Sequence, residues 1–183
     1  LYVDSQVELD NLFDCTNFYG NLVLEDAESA TNFSSINLPN LETIEGNLTI
    51  SYPNTNISFS NLSQVDGDIS IYGWGHCCNY TNYIGSAGLD SLNFPSLEIV
   101  DNISLSVLKD VEYLNFDSLI SADEISISGG SNPVNHFGVQ DLELSTFNNL
   151  QDVSSVQIST SKFSKITGFQ NLQTISSLTI NNN

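Results

Sequence analysis

The sequence predicts an all-β protein, a parallel solenoid of about seven β-rungs, on three observations. One apolar skeleton recurs along the chain, its spacing fits no helix, and every copy runs in the same direction. The clearest copy is LPNLETIEGNLTI, with apolar residues at Leu38, Leu41, Ile44, Leu48 and Ile50. FSNLSQVDGDISI follows, using Phe59, Leu62, Val65, Ile69 and Ile71. Later copies lose one residue in the turn. They use Phe94, Leu97, Val100, Ile103 and Leu105, then Phe116, Leu119, Ala122, Ile125 and Ile127. Two more use Phe147, Leu150, Val153, Val156 and Ile158, and Phe169, Leu172, Ile175, Leu178 and Ile180. A divergent first copy uses Leu12, Cys15, Phe18, Leu22 and Leu24.

Steps of three followed by a step of two describe a segment that bends inward every third residue and ends in a short strand. The final apolar residues of successive copies lie 26, 21, 34, 22, 31 and 22 positions apart. One rung therefore takes about 21 residues, and alternate rungs carry insertions. Equivalent positions of stacked rungs should lie about 4.8 Å apart. The first apolar column reads Leu12, Leu38, Phe59, Phe94, Phe116, Phe147 and Phe169, which commits half of the ten phenylalanines to one internal stack. The residue before the second apolar position reads Asp14, Asn40, Asn61, Ser96, Ser118, Asn149 and Asn171. Each is small and suited to bonding neighbouring backbone at a bend, so this column is expected to be structural.

Composition narrows the function. The 183 residues hold 22 acidic side chains, three lysines and no arginine, a net charge of −19. A nucleic-acid-binding face needs roughly half a dozen or more basic contacts, so nucleic acid and anionic membrane are excluded as partners. Hydrophobic residues at 40% are enough for a packed core, which separates the chain from acidic disordered tails. Ser and Thr total 38 and Asn totals 23, a neutral hydrogen-bonding surface that fits a secreted or cell-wall protein. No apolar run reaches the roughly 20 residues that span a bilayer. Six sequons, at Asn32, Asn47, Asn56, Asn61, Asn79 and Asn102, would permit N-glycosylation.

The stretch DNLFDCTNFYGNLVL followed by LPNLETIEGNLTI resembles the opening of receptor L domains, the ligand-binding β-helices of insulin-type and epidermal-growth-factor-type receptors. Rungs such as FSNLSQVDGDISI and GFQNLQTISSLTINNN are similar to the units of the fungal GPI-anchored cell-wall organisation family, related to sporulation-specific and extracellular-mutant proteins of yeasts. That resemblance implies a right-handed β-helix of leucine-rich-repeat character. It also implies a glycosylated chain held in the wall or at the outer face of the plasma membrane, with a role in wall integrity and no catalysis. Cell-wall polysaccharide or a surface protein would be the partner. Family members also carry more rungs, a Ser-rich stalk and an anchor signal, so residues 1–183 read as one solenoid forming an N-terminal part of a longer protein. Were the chain instead to end at Asn183, the last rung would present Leu178 and Ile180 at an open end, which invites stacking of copies.

Two insertions, 72–90 and 128–141, depart from the packing pattern. The first holds Trp74, His76, Cys77, Cys78, Tyr80 and Tyr83, and the second holds His136 and Phe137. Emerging on one side, together with residues 25–32, they could form a ligand-binding surface in which the aromatic rings act as anchors. The competing expectation is that the rings fold back over the apolar flank. The adjacent thiols leave three disulfide arrangements open: a strained Cys77–Cys78 bridge, a link from Cys15 to one of the pair, or inter-chain and free thiols. In the resembling families the partner of the cysteine equivalent to Cys15 lies upstream. Two adjacent thiolates with His76 make a poor zinc site, and no metal or cofactor is expected.

Glu45, Asp66, Asp101 and Asp123 fall in one column after the third apolar position. Stacked carboxylates at rung spacing could recruit a cation such as Ca²⁺ or, at the separation used by inverting glycosidases, cleave a polysaccharide. Catalysis on polyuronides also wants basic residues, and arginine is missing, so the column is expected to be a solvated turn edge. The outward positions Thr49, Ser70, Ser104, Ser126, Gln157 and Thr179 form a polar ladder, expected to be a hydrated face.

Overall fold

A computed structural model describes residues 1–25, 33–51, 55–73, 91–106, 111, 113–128, 142–144, 146–159 and 163–181. The strand β1 (Tyr2–Val3) and one helical turn, α1 (Gln6–Asp10), precede the first rung. That rung holds a corner strand, β2 (Asn17–Tyr19), and a face strand, β3 (Leu22–Glu25). From the second rung an entry strand is added. The sets are β4 (Ile36–Asn37), β5 (Thr43–Glu45) and β6 (Leu48–Ser51), then β7 (Ile57–Ser58), β8 (Gln64–Val65) and β9 (Ile69–Tyr72). The fourth rung comprises β10 (Ser91–Asn93), β11 (Ile99–Val100) and β12 (Asn102–Ser106). In the last three rungs corner and face are one strand. There β13 (Tyr113–Asn115) leads to β14 (Ser121–Ser128), β15 (Leu142–Leu144) to β16 (Asp152–Ser159), and β17 (Phe163–Ile166) to β18 (Thr174–Asn181).

Every pairing is parallel, as the repeat requires. Face strands align in the order β1, β3, β6, β9, β12, β14, β16, β18, and the corner strands β2, β5, β8 and β11 converge on β14. Corner and face strands are separate in the first four rungs, and the first three of those corners contain a glycine. Gly20, Gly46 and Gly67 stack so closely that a Cβ on Gly46 would lie 2.6 Å from the Gly20 backbone, and one on Gly67 would overlap Asn47 Oδ1. The fourth rung lacks the glycine and is still interrupted at Asp101, whereas from the fifth rung on the corner is continuous and β14, β16 and β18 each run for eight residues. The solenoid of seven rungs expected from the repeat is thus observed, with its strands in register.

All five apolar positions of the second to sixth rungs are buried. The phenylalanine column is continuous. Ring centroids lie 5.2 Å apart for Phe59 and Phe94, 5.1 Å for Phe94 and Phe116, 5.5 Å for Phe116 and Phe147, and 5.6 Å for Phe147 and Phe169. Rung spacing near 4.8 Å sets this distance, and each contact adds about 0.5–1.5 kcal/mol beyond the area it buries.

Three features depart from the sequence reading. The entry strands β4, β7, β10 and β13 form a second parallel sheet whose column Ile36, Ile57, Leu92 and Leu114 is buried, an inward position outside the five-position skeleton. The helical turn α1 buries Leu9 at the first rung. The sixth rung carries an extra residue before its phenylalanine. Phe59 and Phe94 donate their backbone N–H to the carbonyls of Asn93 and Asn115 one rung on, at 3.0 and 2.8 Å. For Phe116 the Thr146 hydroxyl oxygen accepts instead, at 2.6 Å, from a side chain only 2% exposed. The added residue leaves Phe147 at φ 63°, a left-handed conformation costly for a bulky side chain, held because its ring is locked between two neighbours.

Gly168 passes directly over this bulge, and a Cβ there would overlap the Thr146 carbonyl oxygen. Gly168→Ala is expected to lower unfolding free energy by about 1–3 kcal/mol, because backbone rather than a flexible side chain must move. Chemical denaturation with unchanged stability would contradict the placement of these two rungs.

Candidate functional site

The face strands present an outward surface built from three polar columns. The central one is the expected ladder: Thr49 pairs with Ser70, Ser70 with Ser104, Ser104 with Ser126, Ser126 with Gln157, and Gln157 with Thr179. Val23 extends it on β3. Alternation of a strand places two further columns on the same side. One runs through Glu25, Ser51, Tyr72, Ser106, Ser128, Ser159 and Asn181, again in register. The other contains Asn102, Glu124, Ser155 and Ser177. These flanking columns were not singled out in the sequence, although their two-residue offset from the ladder is visible there.

Hydrogen bonds tie the flanking column across rungs. Asn21 Oδ1 accepts the Asn47 N–H at 2.9 Å, Asn47 Oδ1 accepts the Asp68 N–H at 2.9 Å, and Asn102 Nδ2 donates to Asp68 Oδ1 at 2.6 Å. The central column contains no charged residue, in a chain of net charge −19. What the central column presents is therefore a neutral, hydroxyl-rich strip with a fixed repeat of about 4.8 Å, flanked by columns that carry Glu25 and Glu124. At its first strand the Tyr2 hydroxyl bonds the Glu25 carboxylate, which holds the phenol above its ordinary pKa.

The acidic column lies at the corner rather than on this plane. Glu45, Asp66, Asp101 and Asp123 are all exposed. The Asp123 N–H donates to the Asp101 carbonyl at 2.6 Å, and the Asp66 carboxylate accepts the Gln64 amide at 2.7 Å. Among the described residues no three carboxylate, histidine or cysteine side chains converge on a point that could hold a metal.

The bend column bonds backbone as expected. Asn40 Nδ2 donates to the Phe13 carbonyl, Ser96 Oγ to Ser60, Ser118 Oγ to Pro95, Asn149 Nδ2 to Asp117, and Asn171 Nδ2 to Asn148, at 2.9, 2.7, 2.5, 2.7 and 2.6 Å. Each acceptor is the residue just before the preceding rung's bend residue, so in five rungs one side chain clips two rungs together.

Of the aromatic loop set, Trp74, His76, Tyr80, Tyr83, His136 and Phe137 lie outside the described residues, as do Cys77, Cys78, Asn32 and Asn79. Cys15 is half-buried, has no disulfide partner among the described residues, and places its Sγ 3.3 Å from the Asn17 carbonyl oxygen. No helix among the described residues is long and apolar enough to cross a membrane.

No curated protein and no solved structure matches the chain. The family model described as receptor L domain matches residues 14–125, from the first rung into β14, and the two rungs beyond it continue the same columns. With the match covering more than half of the chain, the protein belongs to the receptor L-domain family of extracellular ligand-binding modules.

Proposed function

We propose that the chain is a non-enzymatic module of a fungal cell-surface glycoprotein of the GPI-anchored wall-organisation type. It contributes to wall organisation or adhesion by laying its flat face against neutral wall polysaccharide. The observation that supports this reading is the charge-free central column on a rigid parallel sheet. Sugar hydroxyls can exchange hydrogen bonds with Ser and Thr there without stripping water from a buried charge, a cost of several kcal/mol per ion. Many weak contacts at a fixed repeat then add through multivalency. The acidic excess, four members of which stack at the corner, keeps the chain soluble and steers it from anionic polymers.

The flat-face reading is checked by sedimentation with insoluble β-glucan. Ser104→Arg combined with Gln157→Arg should reduce the bound fraction roughly tenfold, with melting nearly unchanged because exposed substitutions cost within about 0.5 kcal/mol. Equal binding by variant and parent would contradict it. The non-enzymatic reading is checked by incubating the chain with wall glycans and assaying new reducing ends. The parent and Asp66→Asn/Asp101→Asn should both match the blank, and turnover abolished in the variant would make the acidic column a catalytic site.

A further inference from the structure

We infer that Asn61 is the position on the described solenoid built to carry an N-linked glycan. Four of the six sequons have described asparagines, and the fold treats them differently. Asn102 is half-buried, and its Nδ2, the atom a glycan would occupy, bridges to Asp68 at 2.6 Å. Asn47 is half-buried, its amide oxygen accepts the Asp68 N–H, and it fills the space left by the missing side chain of Gly67. Asn56 is exposed, but its amide oxygen accepts the Ser91 N–H at 2.9 Å and so fixes the start of β10.

Asn61 is exposed and stands in the bend column. By the rule of that column its amide should donate to the Pro39 carbonyl, as Asn40, Ser96, Ser118, Asn149 and Asn171 donate to their counterparts. Among the described residues the Asn61 side chain makes no such bond. The clip is thus missing at the one bend position that is also a sequon, Asn61-Leu62-Ser63. A glycan there displaces nothing, and its neighbours in the column, Asn40 and Ser96, are small.

The transfer replaces one Nδ2–H of Asn61 by a bond from Nδ2 to the anomeric carbon of a lipid-diphosphate-linked oligosaccharide. The anomeric carbon–oxygen bond breaks, the lipid diphosphate leaves with the electron pair, and the amide proton passes to a base of the transferase. The transferase reads the sequon in extended chain, so the fold acts afterwards, by accommodating a glycan at Asn61 and being strained by one at Asn102 or Asn47. The inference deepens the glycoprotein reading above and rests on it for the secretory route. It also places the glycan at a bend, away from the flat face.

The test secretes the chain from a eukaryotic host behind a cleavable leader and maps occupancy by enzymatic glycan release in oxygen-18 water. Asn61 should carry the isotope tag in most secreted molecules, and Asn61→Gln should lose the mass of one glycan. In enzymatically deglycosylated samples that variant should melt with the parent, whereas Asn171→Ala, which removes a clip, should melt lower. An untagged Asn61 beside a tagged Asn102 or Asn47 overturns the inference, as does a chain with no tag at all. Because the leader imposes the route, failure of β-glucan sedimentation would leave this result standing, so the two readings fail separately.

Discussion

Stacking of like on like is the constraint from which the rest follows. Each rung must place residues about 4.8 Å from their equivalents above and below, so only side chains that tolerate their own kind can occupy a column. Phenylalanine meets this inside, where offset rings recover dispersion at 5.1–5.6 Å. Asparagine and serine meet it at the bend, where one short side chain satisfies the previous rung's carbonyl. Carboxylates do not tolerate stacking in an interior, and they appear where water screens them, at the exposed corner.

The same constraint shapes the outward surface. A parallel sheet kept in register over eight strands is broad, and its outward columns repeat at one fixed spacing along the stack. A fixed repeat suits an extended polymer that repeats in the same sense, whereas a compact ligand needs a site that differs from its surroundings. In the sequence such differences are concentrated in the insertions, which have no place in the repeat. A module of this kind can separate the two tasks, with the rungs supplying a rigid face whose central column is uncharged and the insertions free to vary in sequence.

Much of this was legible in the sequence because columns are a sequence property. The phenylalanine stack, the acidic corner, the bend residues and the Thr49 to Thr179 ladder all follow from aligning one skeleton. The entry column Ile36, Ile57, Leu92 and Leu114 escaped because it follows insertions of unequal length. Counted from the last strand it has no fixed offset, while counted back from the next Leu or Phe it lies two residues away every time. Five residues of α1 are too short for a helical period to register. Thr146 was hidden by the single added residue that turns Phe147 into the left-handed region. Loss of the corner glycine from the fourth rung on was visible, but the merging of corner and face into one strand, which starts only at the fifth rung, was not. Trp74, His76 and His136 could be marked as ligand-binding candidates only because they stand outside the repeat, since residues there have no column to be compared with.

If stacking between adjacent rungs is what holds the solenoid, its energy should be pairwise and short-ranged. A double-mutant cycle on Phe94→Ala and Phe116→Ala, run beside one on Phe59→Ala and Phe147→Ala, measures this by denaturant unfolding. The account predicts coupling of about 0.5–1.5 kcal/mol for the neighbouring pair and additivity for the pair three rungs apart. Equal coupling in both cycles, or none in the first, would contradict it.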